Sequence, residues 1–165
     1  MSPPKTIYKF ALYSTFVCPT EIISFSEKVN EFKAAGAEVV ACSVDSEFSH
    51  LAWVNTPRKQ GGLGEMKIPI LADITKKIAS DYGVLLDGGV ALRGVFIIDP
   101  KQNVRVAMIN DLPIGRNVDE VIRLVEAVKF TDIHGEVCPA NWKKGGATMI
   151  AEPAKSKAYF EKANA

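Results

Sequence analysis

The chain has 165 residues, 47% of them hydrophobic and 24% charged, with a formal net charge of +1 at pH 7. These values fit one globular domain with a short arm and exclude a disordered or collagen-like chain. The charge balance leaves no electrostatic footprint for nucleic acid or an anionic membrane, and the longest apolar runs, such as Val39 to Cys42 and Val95 to Ile98, fall far short of the roughly 18 apolar residues a membrane helix needs.

The first element is a strand over Thr6 to Tyr13, rich in β-branched and aromatic residues. Pro19 sits where a first helical residue belongs, because its missing N–H is not needed there. Ile22, Phe25, Val29 and Phe32 follow on one helical face, and Gly36 supplies a left-handed stop. Glu38 to Val44 reads as a buried strand. A helix from Phe48 towards Lys59 is disturbed by Pro57, and Gln60 to Gly64 is a loop. Ile68 to Ala72 is a short strand, Thr75 to Tyr82 a short helix, and Gly83 to Gly89 turn-rich. Leu92 to Ile98 and Val104 to Ile109 form a hairpin around Asp99-Pro100-Lys101-Gln102-Asn103. The last long helix runs from Asn117 to about Phe130, with Asn117 as its cap and Glu120 closing a capping box. The tail from Thr131 is punctuated by proline and glycine and ends in a short helix within Pro153 to Ala165. The order of elements gives an α/β class with a central mixed β-sheet flanked by helices. It divides into a domain over residues 1–130 and a C-terminal arm over 131–165 that carries Cys138.

The chain start, Met1-Ser2-Pro3-Pro4-Lys5, has no leader pattern, and three cysteines are too few for a disulfide-stapled secreted scaffold. The expectation is a cytoplasmic protein with reduced thiols. Cys18 follows the first strand and opens the first helix. A helix N-terminus offers unpaired N–H groups and the positive end of a dipole, both of which favour a thiolate. Thr20 places a hydroxyl two residues on. From position alone, a reactive thiol and a small buried residue both fit. Cys42 lies mid-strand among valines and reads as inert core. Cys138 in its Pro/Gly-rich tail reads as exposed. Arg93 in an apolar strand fits an edge residue with its head in water as well as a site residue, and Arg116 fits a plain surface charge. His50 and His134 have no metal-ligand spacing to the cysteines or to each other, so no metal site is expected. Trp53 and Trp142 read as packing residues. Gly61-Gly62-Leu63-Gly64 is not a dinucleotide fingerprint, because it does not join a strand to a helix at the needed spacing.

Thr15-Phe16-Val17-Cys18-Pro19-Thr20-Glu21 closely resembles the peroxidatic-cysteine motif of the peroxiredoxins. The similarity continues through His50 to Gly64, Leu92 to Asp99, Asn110 to Arg116 and Gly135 to Trp142. The subclass it implies is the typical two-cysteine peroxiredoxin, with a thioredoxin-like fold. Residue by residue, the resemblance implies Cys18 as the nucleophile that becomes sulfenic acid. It implies Thr20 as a hydrogen-bond partner of the peroxide, Pro19 as a shield, and Arg93 beside the sulfur with Glu21 and Arg116 as the pair that orients it. Cys138 is implied as the resolving thiol, forming an intersubunit disulfide. Gly61, Gly62, Leu63 and Gly64, with Tyr159 and Phe160, match strings that mark members prone to overoxidation through a packed tail. The implied substrates are hydrogen peroxide and small organic hydroperoxides. The implied partners are a second copy in a homodimer, a ring decamer of such dimers, and thioredoxin as reductant, with no cofactor and no metal.

The approach to Cys18 is shorter than the family usually carries, and Tyr8 to Ser14 departs from its usual pattern. The expectation is a central strand short of partners, exposing an edge, and a reworked pocket around Cys18. A second reading follows: a shortened, weakly active paralogue acting as an oligomeric holdase or redox regulator. A thioredoxin-type disulfide reductase is disfavoured, because Cys18-Pro19-Thr20-Glu21 lacks the second thiol.

Overall fold

A computed structural model describes the backbone of residues 8–13 and all of residues 19–163. The chain forms two compact units, one ending at Val118 and one beginning at Asp119. The first holds a five-stranded sheet in the order β3-β2-β1-β4-β5. Its strands are β1 (Tyr8–Tyr13), β2 (Ala37–Ser43), β3 (Ile70–Ala72), β4 (Arg93–Ile98) and β5 (Val104–Asn110). β1, β2 and β3 are parallel, while β4 pairs antiparallel with both β1 and β5. The mixed α/β sheet read from the sequence is the one observed.

One expectation is overturned here. β1 does not lack partners: Tyr8–Tyr13 pairs with Ala37–Cys42 on one side, and Lys9–Leu12 pairs with Ile98–Val95 on the other. The short entering strand lies at the centre of the sheet, and the edges are β3 and β5. Thr6 and Ile7, which the sequence also assigns to this strand, lie outside the described residues.

The helix after Cys18 is two helices, α1 (Pro19–Glu27) and α2 (Val29–Ala35), with a break at Lys28. Lys28 sits at φ −86°, ψ 11°, off the helical minimum. The apolar stripe runs through the break. Ile22, Phe25, Val29 and Phe32 are all buried, and the Phe25 and Phe32 rings stack at 5.8 Å. Gly36 closes α2 at φ 92°, as its sequence position implies.

α3 (Glu47–Asn55) starts at Ser46, whose hydroxyl accepts the Ser49 N–H at 3.2 Å. It ends ahead of Pro57, and a single 3-10 turn covers Arg58–Gln60. α4 (Lys77–Asp81) is short, and the buried Asp73 carboxylate accepts the N–H groups of Ile78 and Ala79. Cys42 belongs to a core cluster with Ala79, Val84, Ala91 and Phe96 and is 3% exposed. The β4–β5 turn is built by Asp99. Its Oδ1 accepts the N–H groups of Lys101 and Asn103, and Gln102 takes a positive φ of 68°.

α5 (Val118–His134) extends four residues beyond the sequence estimate, and Val121, Val125 and Val128 form its buried face. In the second unit the segment after α5 is pinned by a bridge between Val137 and Met149 and by the buried Trp142. α6 (Lys157–Ala163) follows. Among the described residues, no helix is long and apolar enough to cross a membrane.

Candidate active site

The first turn of α1 delivers Glu21 into the protein interior, where it is 5% exposed. Two arginines from distant parts of the chain converge on it. Arg93 opens β4 and is 4% exposed; its Nη1 donates to Glu21 Oε2 and its Nε donates to the Leu112 carbonyl at 2.5 Å. Arg116 donates Nε to Glu21 Oε1 at 3.0 Å, Nη2 to Oε2 at 3.1 Å, and its own backbone N–H to Oε1. Its remaining Nη1 donates to the Gly94 carbonyl at 2.7 Å, next to Arg93 on β4. Glu21 therefore accepts from both guanidiniums at once, and Arg116 grips both the carboxylate and the strand that carries Arg93.

The loop after β5 makes this possible. Asp111 accepts the Leu112 N–H at its side chain and the Ile114 N–H at its carbonyl, at 2.7 and 3.0 Å. Asn110 donates to the carbonyls of Ile114 and Gly115. The string Asn110-Asp111-Leu112-Pro113-Ile114-Gly115-Arg116 is folded by its own polar residues, so it presents the Leu112 carbonyl to Arg93 and the Arg116 side chain to Glu21.

Burial pushes the Glu21 carboxyl up, but the Arg116 hydrogen bonds and charge, with the charge of Arg93, outweigh it and leave the group below its ordinary value. The cluster is one carboxylate against two guanidiniums, a net +1, with all three side chains at most 5% exposed. Arg93 is thus not an edge residue with its head in water, and Arg116 is not a surface charge.

Pro19 is the first residue of α1. Thr20 follows and is exposed, and its carbonyl accepts the Ser24 hydroxyl at 2.7 Å. Cys18, Thr15, Phe16 and Val17 lie outside the described residues. Cys42 and Cys138 are free thiols. Cys138 is half-buried rather than exposed: its Sγ lies 3.9 Å from the Ala127 carbonyl of α5. Burial pushes its thiol up, the Arg123 charge pulls it down, and Glu136 pushes it up again, leaving it above its ordinary value.

Gly61-Gly62-Leu63-Gly64 folds tightly onto the end of α3. Leu63 is fully buried, with its N–H on the Trp53 carbonyl and its carbonyl accepting from Arg58 Nε, both at 3.0 Å. A Cβ on Gly62 would stand 1.9 Å from the Thr56 carbonyl oxygen, so only glycine fits. Trp53 caps this loop by donating Nε1 to the Gly61 carbonyl at 3.1 Å. Tyr159 and Phe160 pack edge to face at 5.6 Å on α6, with Phe160 51% exposed. His134 stacks on Phe130 at 4.2 Å.

Sequence reasoning did not single out the Leu112 carbonyl, the Ser43–His50 pair or Arg123. His50 is buried and its Nε2 lies 2.7 Å from Ser43 Oγ, which itself donates to Asp45 Oδ2 at 2.8 Å. That arrangement puts the ring proton on Nε2, and among the described residues the buried Nδ1 has no hydrogen-bond partner. The Glu120–Arg123 spacing was the available signal for Arg123, as an i, i+3 ion pair on a helix.

The family model described as the AhpC/TSA family matches residues 4–107, and the one described as the C-terminal domain of 1-Cys peroxiredoxin matches residues 127–162. The chain belongs to the AhpC/TSA family. It is 60% identical over 156 residues to peroxiredoxin 2 of Drosophila melanogaster, covering 94% of this chain and 80% of that protein. It is 61% identical over 159 residues to a thioredoxin peroxidase of Trypanosoma brucei rhodesiense, covering 96% of this chain and 80% of the relative. The reduced 2-Cys peroxiredoxin of Plasmodium vivax superposes with a TM-score of 0.90 at 40% identity, over 93% of this chain and 82% of that one. This AhpC/TSA member is a thiol-dependent peroxidase with a thioredoxin-like fold.

Proposed function

We propose that Cys18 is the peroxidatic nucleophile and that the Glu21–Arg93–Arg116 cluster is the machinery that activates it. The observation that carries this reading is the buried net charge of +1 in the first turn of α1, three residues after Cys18 in the chain. One carboxylate shared between two guanidiniums makes this region positive, and a positive environment favours a neighbouring thiolate over the thiol. The N-terminus of α1 adds its dipole in the same sense. Arg93 then serves twice, holding sulfur as thiolate and stabilising negative charge on the oxygen that leaves. Glu21 and Arg116 are positioning residues that fix its guanidinium.

In the proposed reaction the Cys18 thiolate attacks one oxygen of a hydroperoxide and the O–O bond breaks. Sulfur is oxidised to sulfenic acid, and the other oxygen takes a proton and departs as water or alcohol. Thr20 hydrogen-bonds the peroxide and Pro19 shields the product. Cys138 of a second subunit condenses with the sulfenic acid, releasing water and forming a disulfide. A dithiol protein then reduces it. Thioredoxin is the proposed reductant, supported by the name of the 61%-identical relative. The proposed assembly is a homodimer that builds a ring decamer, working in the reducing cytoplasm. The tight Gly61–Gly64 loop and the Tyr159-Phe160 helix are proposed to slow the unfolding that lets the two cysteines meet.

The variant Cys138→Ser tests the assignment. It is expected to consume one equivalent of peroxide and then stop, with no thioredoxin-linked turnover. Turnover at the wild-type rate would transfer the resolving role elsewhere, with Cys42 as the remaining thiol.

A further inference from the structure

Glu120, Arg123, Ala127, Phe130 and His134 recur at alternating three- and four-residue steps and line one face of α5. The segment after the helix folds back onto that face. The Cys138 sulfur lies 3.9 Å from the Ala127 carbonyl, and the buried Trp142 ring stands 5.2 Å from Phe130. Between them the chain is a closed turn. The Trp142 N–H donates to the Pro139 carbonyl at 3.1 Å, and Asn141 takes a positive φ of 60°, which asparagine tolerates better than most residues. Arg123 Nη1 donates to the Trp142 carbonyl at 2.9 Å. The rest of that guanidinium is already fixed, because Glu120 accepts its Nε at 2.6 Å and its Nη2 at 2.7 Å. The Arg123 side chain is only 23% exposed, so water competes in part for this charge-assisted bond. The Val137–Met149 bridge is internal to the arm, and the Lys144–Glu126 pair at 3.4 Å has its lysine in water. Neither holds the turn on the helix as Arg123 does.

We propose that Arg123 is a latch on the resolving thiol, a positioning residue that holds the Cys138–Trp142 turn on α5 and sets how fast it lifts. A disulfide needs its two α-carbons within about 7 Å of each other. A sulfur seated against α5 offers only part of its surface to another side chain, so the turn lifts before the S–S bond forms. While the latch is closed, the Cys18 sulfenic acid waits. A second hydroperoxide then delivers one oxygen to that sulfur and leaves as water or alcohol, giving sulfinic acid. Arg123 thereby divides the sulfenic acid between disulfide and sulfinic acid. This role rests on Cys18 and Cys138 being the reacting pair, but the hold of Arg123 on the turn can be measured without peroxide or thioredoxin.

Hydrogen–deuterium exchange in the reduced full chain reads that hold, on peptides spanning Val137 to Gly146. Arg123→Met keeps the aliphatic stem and removes every donor. It is expected to speed exchange of the Trp142 and Gly146 amides about tenfold, with the Val121 to Val128 amides unchanged. After one equivalent of hydrogen peroxide, the disulfide phase is expected to be several-fold faster. With peroxide in excess, the sulfinic fraction of Cys18, read by mass spectrometry, is expected to fall several-fold. A merely structural role gives the opposite sign. A disordered arm brings Cys138 to the sulfenic acid less often, so the disulfide slows and the sulfinic fraction rises. That result, unchanged exchange, or faster exchange with an unmoved disulfide rate overturns the proposal. Arg123→Lys keeps the charge but cannot hold Glu120 by two bonds and reach Trp142 at once. It is expected to move the same readouts in the same direction by less. If Arg123→Met does not fold, unmoved exchange in Arg123→Lys overturns the proposal instead. Failure of the resolving assignment is read separately, as recycling that survives Cys138→Ser, and it leaves the exchange result standing.

Discussion

Replacing Glu21 by glutamine tests whether the active-site cluster is a dehydrated charge system or an ordinary hydrogen-bond network. The carboxylate accepts four hydrogen bonds, one from Arg93 and three from Arg116. Glutamine keeps the shape and one acceptor but removes the charge, taking the cluster from −1 + 2 = +1 to +2. Removing one partner of a buried ion pair costs about 3–5 kcal/mol. For a chain of this length that corresponds to a fall in Tm of about 10 °C. Arg93→Met instead leaves Glu21 and Arg116 as a neutral pair, and it is expected to cost about half as much. Urea unfolding and thermal melts at fixed protein concentration measure both. A loss below about 1 kcal/mol in Glu21→Gln, or a loss in Arg93→Met larger than that in Glu21→Gln, would mean that the cluster is an ordinary hydrogen-bond network. The pH dependence adds a signature. The folded-state pKa of Glu21 lies below its ordinary value of 4.5, so its contribution is present above that pH and lost as pH falls through the lower folded value. Glu21→Gln should flatten that part of the stability profile.

Two further expectations follow from other parts of the fold. Burial holds His50 below its ordinary value of 6.5, against the smaller pull of Asp45 and Glu47. The stability it contributes is therefore present above pH 6.5 and lost as pH falls through the depressed value. His50→Gln should remove that acid sensitivity in urea titrations, and parallel profiles would contradict it. Gly62→Ala must displace the Thr56 carbonyl and should cost about 2 kcal/mol or more, whereas Gly88→Ala, with nothing within 4 Å of its added Cβ, should change stability by less than about 0.5 kcal/mol.

Much of this was legible in the sequence because it is periodic or punctuated. The Ile22-Phe25-Val29-Phe32 stripe, the Gly36 stop and the Asp99 turn are local patterns, and each lies where its residue types put it. The break at Lys28 was not legible, because the apolar spacing runs through it unchanged. The partners of β1 were not legible either, because its pairing with β2 and β4 is decided by segments far along the chain. Within the site, the string around Cys18 and the arginines at 93 and 116 stood out as residue types. That Arg93 and Arg116 share one carboxylate needed the three-dimensional fold, since 72 and 95 residues separate them from Glu21. The half-buried state of Cys138 was hidden for the same reason, since it depends on α5 and on the seating of Trp142.

Cys18 is proposed to be a preorganised peroxidatic thiol. Reduced protein mixed with stoichiometric hydrogen peroxide in a stopped-flow instrument, followed by tryptophan fluorescence from Trp53 and Trp142, tests it most directly. The expected trace is a fast second-order change, orders of magnitude above the rate of a free cysteine, lost in Cys18→Ser and strongly slowed in Arg93→Met. A slow change, with thiol titration finding Cys18 still reduced after one equivalent of peroxide, would contradict it.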